Sequence, residues 1–496
     1  MKVSLLFLIP LITGILCLLT RQKLLIGRIQ TIGMFFLFGI GLIIIGDVLK
    51  IGSIHAFGDF IYIDALSGLM IFIITSVSLL ASLYSIGYMV NEVEERIQGL
   101  WKLKGYYFLL NVFICTMLAV VTTNSLGIIW ISIELTTLVS AFLVGYYNRE
   151  TPVEAAWKYI ILCTVGITFA MIGIVLSYYA VTHVGGLKEQ GLNFDYLITI
   201  AHKLDPDLMK AAFVFILIGY GTKAGLAPMH SWLPDAHSEA PTPVSALLSG
   251  VLLKCAIYGI IRFTILTNLA VGKGFSSELL LFFGLFSIAI ATPFILVQKN
   301  IKRLLAYSSL EHVGIITTGL AFGTPIAVFG ALIHMINHAM VKSLMFFTSG
   351  NLALKFHSKD MDHMKGAIQL MPVSGVVLLI GGLALAGSPP FSVFISEFYI
   401  LSGGVQGHHW IASGIFVTLL TIIFGGLIYN FIQVSMGPLL ESTGAHLPQQ
   451  GEINRSSTTA LLAPLLMVCV LGIYIPGPMV NLINESVKIL NMGHAL

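Results

Sequence analysis

The stretch GYGTKAGLAPMHSWLPDAHSEAPTPVSALLSG, residues 219–250, sets one lysine, two histidines and two carboxylates among four prolines and four glycines. It continues an uncharged run that opens at Ala211, and Lys223 falls about thirteen residues into that run. Proline removes a helical hydrogen bond, so Gly225–Pro228 predicts a break or kink near mid-membrane. Interrupted spans with an ionisable group beside freed backbone are how many transporters build their binding sites. The bland alternative is a lysine that snorkels to water, but Lys223 lies too deep to do so comfortably. The segment therefore reads as a membrane helix broken around a functional charge.

The remaining sequence fits a bilayer. Of 496 residues, 57% are hydrophobic and 10% charged, with a mean hydropathy of +0.93. That is too little charge to cover a soluble surface of this size. Apolar runs of spanning length recur from end to end and are continuous rather than alternating, which predicts helices. The expected fold class is all-α and polytopic. A net charge of +3 gives no basis for binding nucleic acid. The five cysteines form no CxxC pair, and no P-loop, HExxH or dinucleotide fingerprint occurs. No cofactor and no metal are expected on this chain. The N-terminal MKVSLLFLIPLITGILCLLT has a minimal charged region and no small-residue cleavage site, so it reads as the first span.

About fourteen spans are expected, near 3–20, 28–48, 66–90, 105–122, 124–147, 155–181, 211–234, 242–268, 277–297, 303–322, 326–354, 372–402, 410–436 and 459–484. Loops after odd-numbered spans hold fourteen of the 26 lysines and arginines, and the opposite face holds seven. The richer face should be cytoplasmic, which places both termini outside.

Five cations remain within helices: Lys158, Lys223, Lys254, Arg262 and Lys342. A charge at the bilayer centre costs at least ~2.5–3.5 kcal/mol, so each requires a reason. Glu134 is the sole charge in the fifth span. A neutral, inert acid is the bland reading; with buried cations available, a paired or titrating carboxylate is expected. A carboxylate ~4 Å from Lys223 contributes about 4 kcal/mol at an effective dielectric of ~20. Their separation would then set how firmly Lys223 holds its proton. Lys254 lies about twelve residues into the eighth span, where its rival role is a structural bond to a carbonyl. Lys158 can snorkel, and Arg262 reads as an interfacial anchor.

HMINHAMVKSLMFF puts His334, His338 and Lys342 at i, i+4 and i+8, one above the other on a single helix face. That suits a proton-relay stripe better than a metal site, for which no third ligand is apparent. Glu311 and His312 lie in the tenth span. His230, beside the first break, is the candidate proton inlet, while Asp235 and Glu239 fit a solvated mouth. A second break is expected at Pro389–Pro390 in AGSPPFSVFISEF, with Glu397 seven residues on. Matching interruptions in two halves are the mark of a repeat transporter. Spans 4–8 and 9–13 would be two inverted five-helix repeats. The expected divisions are 1–104 (spans 1–3), 105–270 (first repeat), 271–440 (second repeat) and 441–496 (span 14 and tail).

Together these residues resemble the proton-conducting antiporter-like subunits of complex I, Mrp antiporters and membrane-bound hydrogenases, from about residue 60 to 440. The stretch GTKAGLAPMHSWLPDAHSEAPTPVSALLSG carries that resemblance most specifically. IELTTLVSAFLVGYYN, VEAAWKYIILCTVGI and RLLAYSSLEHVGI look most like component F of hydrogenase-4 and formate hydrogenlyase-type complexes. The resemblance implies that Glu134 partners Lys223, and that Lys254, His312, His334, His338 and Glu397 carry protons along a connecting axis. Glu397 stands where complex I's distal antiporter-like subunit has a lysine. Further implications are a prokaryotic inner-membrane location, partner membrane and peripheral subunits, and iron–sulfur and nickel–iron or related centres on those partners. A complex I subunit, an Mrp-type Na+/H+ antiporter and a passive hydrogenase anchor are the competing readings.

Overall fold

The computed structural model describes residues 2–95, 99–439 and 449–491. Arg96, counted above for orientation, lies outside them. The first helices are α1 (Lys2–Leu19), α2 (Lys23–Ile51), α3 (Ala65–Glu95), α4 (Leu100–Thr122), α5 (Leu126–Val144) and α6 (Glu150–His183). Then come α7 (Phe194–Ile200), α8 (Pro206–Ala224), α9 (Trp232–Glu239), α10 (Thr242–Leu247), α11 (Leu253–Val271) and α12 (Lys273–Val297). The second half holds α13 (Ile301–Phe322), α14 (Pro325–Phe356), α15 (Ala367–Leu370), α16 (Pro372–Leu385), α17 (Ser392–Gln406) and α18 (Trp410–Met436). The chain closes with α19 (Arg455–Thr459), α20 (Leu462–Ile473) and α21 (Gly477–Leu490). A small hairpin, β1 (Ile54–Ala56) and β2 (Ile61–Ile63), is antiparallel with Ile54 opposite Ile63. It interrupts an otherwise helical fold and was not visible in the apolar periodicity.

Local signals place several helix ends. Asp205 accepts from the backbone N–H groups of Asp207 and Leu208 ahead of Pro206, and so caps α8. Asn300 does the same for α13, and Thr324 with Pro325 opens α14.

Among the described residues, eleven helical stretches are long and apolar enough to cross a membrane, including α10–α11 as one unit. Three of the fourteen expected segments fall outside that set. The α8 segment is polar at its ends, α13 carries Lys302, Arg303 and Glu311, and α16–α17 is interrupted. The expected span 459–484 is split: Tyr474–Pro476 separates α20 from α21, whose sequence turns amphipathic with Asn484, Glu485 and Lys488.

The charged helices lie in the middle. The apolar window of α10–α11 is 100% buried and that of α14 is 89%, against 33% for α2 and 28% for α18. Large side chains such as Phe35, Phe142 and Phe282 face outward, as lipid requires. Gly166 and Gly173 on α6 let α8 approach closely, facing Thr222 and Ile216, in the small-residue packing that membrane helices favour.

Candidate functional site

The first break is where the opening segment predicts it. α8 ends at Ala224, and Gly225 adopts a left-handed φ of 79°. The N–H of Leu226 bonds to Gly221 O and that of Gly225 to Thr222 O, closing the helix with a Schellman motif. Trp232 Nε1 donates to Thr222 O at 2.9 Å, and Ala227 N donates to Ser287 Oγ at 3.0 Å. The freed backbone is thereby satisfied inside the protein.

Lys223 occupies the last turn before the break and is 1% exposed. Its Nζ donates to Thr137 Oγ1 at 2.7 Å and to Tyr159 OH at 2.5 Å. Tyr159 OH lies 2.8 Å from Ser140 Oγ. Glu134, the expected partner, makes no ion pair with it. Its Oε1 accepts from Thr164 at 2.8 Å, on the rim of the bundle. Glu134 and Thr137 are three residues apart on α5, and the shorter side chain is the one that reaches Lys223.

A second cluster runs through α11, α13, α14 and α17. Residues 248–252 form a π-helical turn between α10 and α11. Lys254 Nζ donates to Ser249 O at 2.8 Å and stands 2.5 Å from His338 Nδ1. Ser249 Oγ lies 2.7 Å from Ser309 Oγ. The adjacent Ser308 bonds Lys342, whose Nζ also donates to Leu305 O at 2.8 Å. The expected stripe on α14 holds: the His334 and His338 rings are parallel within 4° and 6.4 Å apart. His312 packs between them, 4.6 Å from His338 by ring centre, with its Nδ1 2.9 Å from His334 Nε2. His334 Nδ1 lies 2.8 Å from Ser396 Oγ, one residue before Glu397. Among the described residues, Lys223, Lys254 and Lys342 have hydrogen-bond acceptors and no carboxylate in ion-pair contact.

Glu397 sits at the second break. Gly387, with a φ of 78°, passes so close to the Glu397 carboxylate that a Cβ there would require the carboxylate to shift. Glu397 also borders a cleft of about 280 Å³ with Phe394, Phe416 and Thr421. The donor atoms of His312, His334 and Glu397 lie within 4.8 Å of one another, a set that does not include His338, the other histidine of the α14 stripe. A tetrahedral site with bonds near 2.1 Å needs donors roughly 3.4 Å apart. Two of these donors, His312 Nδ1 and His334 Nε2, lie at hydrogen-bond distance, 2.9 Å.

The other candidates lie elsewhere. Lys158 is half exposed and pairs with Glu154 at 2.6 Å and Asp235 at 3.4 Å. It borders a polar vestibule of about 420 Å³ together with Arg303, which pairs with Asp235. A neighbouring vestibule of about 760 Å³ is bordered by Glu92, Arg149 and Lys302, and the two share Thr151, Ser238 and Glu239. Lys359 pairs with Glu239 at 2.9 Å. Burial works to raise the Glu239 carboxyl, but this ammonium outweighs it and holds the group below its usual range. His230 is half-buried and is not among the residues bordering either vestibule. Glu311 is buried, with Oε2 unpartnered.

Arg262 is no interfacial anchor. It is 1% exposed and forms a bidentate bond to Asp64, at 2.6 and 2.7 Å, beneath Phe194 and Tyr258. Asp64 lies just before the third span and read as loop, which hid the pair. Thr137, Tyr159, Ser140, Ser308 and Ser396 were missed as well, because neutral hydroxyls carry no charge anomaly. Tyr159 had one available signal: on a helix it lies about 100° around from Lys158, on the inward face.

These features define a polytopic membrane protein with an internal line of titratable side chains passing two interrupted helices. Residues 123–423 match the transmembrane family of NADH:quinone oxidoreductase and Mrp antiporters, and residues 56–97 match the N-terminus of complex I chain 5. The chain belongs to this antiporter-like family of membrane subunits. It is 37% identical over 419 residues to a hydrogenase-4 component F homolog of Methylacidiphilum infernorum, covering 84% of this chain and 86% of that protein. It is 33% identical over 351 residues to hydrogenase-4 component B of Escherichia coli, covering 68% of this chain and 49% of that one. Among solved structures, a chain of the membrane-bound sulfane sulfur reductase, an archaeal respiratory membrane complex, superposes with a TM-score of 0.85 at 25% identity. That match covers 98% of this chain and 97% of the other. A chain of the Mrp complex from Dietzia superposes equally well at 17% identity, covering 99% and 97%, and shows the fold alone.

Proposed function

We propose that this chain carries protons across a prokaryotic inner membrane as a subunit of an energy-converting redox complex of the hydrogenase-4 or formate hydrogenlyase type. The observation that carries this reading is the buried sequence Lys254, His338, His312, His334 and Ser396, with successive contacts of 2.5 Å, a 4.6 Å ring approach, 2.9 Å and 2.8 Å, ending one residue before the half-buried Glu397. An imidazole bonded to an amine or a second imidazole hands a proton on without any large movement, because one nitrogen accepts as the other donates. Lys223, held by Thr137 and Tyr159, is the carrier of the first half, and Glu397 is the terminal group of the second.

Between Lys223 and Lys254 the described residues offer no continuous hydrogen bond, so water or movement closes that step. Lifting one charge against the membrane potential takes about 2.3 kcal/mol per 100 mV. Partner subunits with iron–sulfur clusters and a nickel–iron or related centre would supply that work. Both termini would face outward, with the lysine- and arginine-rich vestibules toward the cytoplasm.

The test is proton translocation by inverted membrane vesicles containing the assembled complex, driven by formate or hydrogen. Replacing Lys223 or His338 by alanine is expected to abolish translocation while the complex still assembles. Undiminished translocation in both variants defeats the proposal.

A further inference from the structure

Three helices each bring one metal-ligating side chain to the same point. His312 comes from α13, His334 from α14 and Glu397 from α17, and one donor atom of each lies within 4.8 Å of the other two. Two imidazoles and a carboxylate are a donor set that zinc enzymes use, with the fourth position left to water. The imidazoles argue against magnesium and calcium, which take oxygen ligands.

The hydrogen bonds around His334 decide which of its nitrogens is bare. Ser396 Oγ donates to Val393 O at 2.8 Å and accepts from Asn337 Nδ2 at 3.2 Å. With its one proton committed, Ser396 Oγ accepts from His334 Nδ1 at 2.8 Å. Nδ1 therefore carries the hydrogen, and Nε2 turns its lone pair toward His312 Nδ1, 2.9 Å away. An imidazole held this way by its outer nitrogen is how proteins orient a metal-binding histidine.

Glu397 completes the set. Its half-buried carboxylate has no hydrogen-bond or ion-pair partner among the described residues. It borders the cleft of about 280 Å³ beside Phe394 and Phe416, which gives an ion an entry path. Tetrahedral bonding asks the two imidazoles to part by about 0.5 Å and the carboxylate to swing inward. Nothing bonded to Glu397 opposes that movement.

We propose that His312, His334 and Glu397 form a zinc-binding site, in which Zn2+ replaces the proton shared by His312 Nδ1 and His334 Nε2. Ser396 orients His334, and His338 takes no part. The site goes beyond the proton-translocating reading and does not depend on it.

The test uses the purified full chain in detergent, stripped by a chelator and titrated with Zn2+ in a calorimeter. Co2+ in its place gives a visible spectrum that reports tetrahedral coordination. The parent is expected to bind one ion, releasing a proton as it does so. Ser396→Ala keeps all three ligands and should weaken binding about 10–100-fold, as loss of an orienting partner does. Glu397→Gln should weaken it at least as much, whereas His338→Gln should leave it unchanged. Zinc held by surface histidines would be indifferent to all three changes. A parent that binds no ion, or an affinity that Glu397→Gln leaves unchanged, overturns the assignment. If Glu397→Gln fails to fold, Ser396→Ala decides, and an unchanged affinity there overturns it equally. None of these outcomes touches the proton-translocating reading, which Lys223→Ala tests in vesicles.

Discussion

Lys254 Nζ stands 2.5 Å from His338 Nδ1, and both side chains are fully buried. The lysine is aimed by its own helix. The π-helical turn at 248–252 leaves Ser249 O to accept from Nζ, five residues on, at 2.8 Å. Such turns recur at functional positions because they reorient one side chain without ending the helix. Lys254→Met should keep the packing but remove the exchangeable proton. The expected result is an assembled complex that transfers electrons yet moves no protons. Lys254→Met combined with His338→Ala should be no worse than either alone, because residues acting as one unit are non-additive. An additive loss in vesicle assays would mean that the two lie on separate routes.

Tyr159 should matter as much as the charges do. Its hydroxyl accepts from Lys223 at 2.5 Å and lies 2.8 Å from Ser140 Oγ. Hydrogen bonds to charged groups contribute about 1.5–3 kcal/mol. Tyr159→Phe should therefore weaken Lys223 as a carrier by roughly ten- to a hundredfold. Translocation rates in vesicles would read this directly, with Tyr159→Ala as the harsher comparison because it also removes the ring packed on Trp232.

Glu134 gives a charge-specific test. Glu134→Gln retains an oxygen to accept from Thr164 and should leave thermal stability within about 0.5 kcal/mol, as surface changes usually do. Its effect on translocation should still be large, since it removes the one charge of the fifth span, the carboxylate expected to balance Lys223. A Gln variant that translocates normally would show that Lys223 needs no mobile counter-charge.

How much of this could be read from the chain alone differs by residue. The two breaks were legible because proline and glycine inside an apolar run have one cheap interpretation, and Gly225 and Gly387 meet it with left-handed backbone. The α14 stripe was legible because helical periodicity fixes which residues share a face. The Lys223 environment was not: a charge invites the search for an opposite charge, and the fold answers with Thr137 and Tyr159. Arg262 misled for the complementary reason. Its partner Asp64 is 198 residues away and lies outside any apolar run, so only packing brings the two together.

Glu239 and Lys359 supply a pH-dependent contribution outside the spans. The pair is 2.9 Å apart with side chains 21% and 36% exposed, so solvent screening limits it to about 1 kcal/mol or less. The folded Glu239 carboxyl titrates below its ordinary value of 4.5, burial being outweighed by Lys359. A depressed folded value contributes stability above the unfolded value, and that stability is lost as pH falls through the folded one. Glu239→Gln should therefore melt slightly earlier than the parent at pH 7. The gap should close progressively below about pH 4.5. Thermal unfolding of the detergent-solubilised protein across that range checks both sign and window.

The Asp64–Arg262 pair should be the most stability-sensitive ionic contact among the described residues. Both side chains are at most 2% exposed, and the guanidinium also donates to Ser67 Oγ at 3.0 Å and Tyr258 OH at 2.8 Å. It ties the start of α3 to the middle of α11 and to Phe194 on α7. Removing one member leaves the other charge buried without compensation, which typically costs 3–5 kcal/mol, roughly. Asp64→Asn should therefore lower the melting temperature sharply. Replacing both members, as in Asp64→Leu with Arg262→Met, should recover most of that loss, because well-packed apolar residues often match a buried pair. Melting curves of the two single variants and the double variant decide the matter. A double variant that melts no higher than Asp64→Asn would mean that the pair is needed for its hydrogen bonds to Ser67 and Tyr258 rather than for mutual neutralisation.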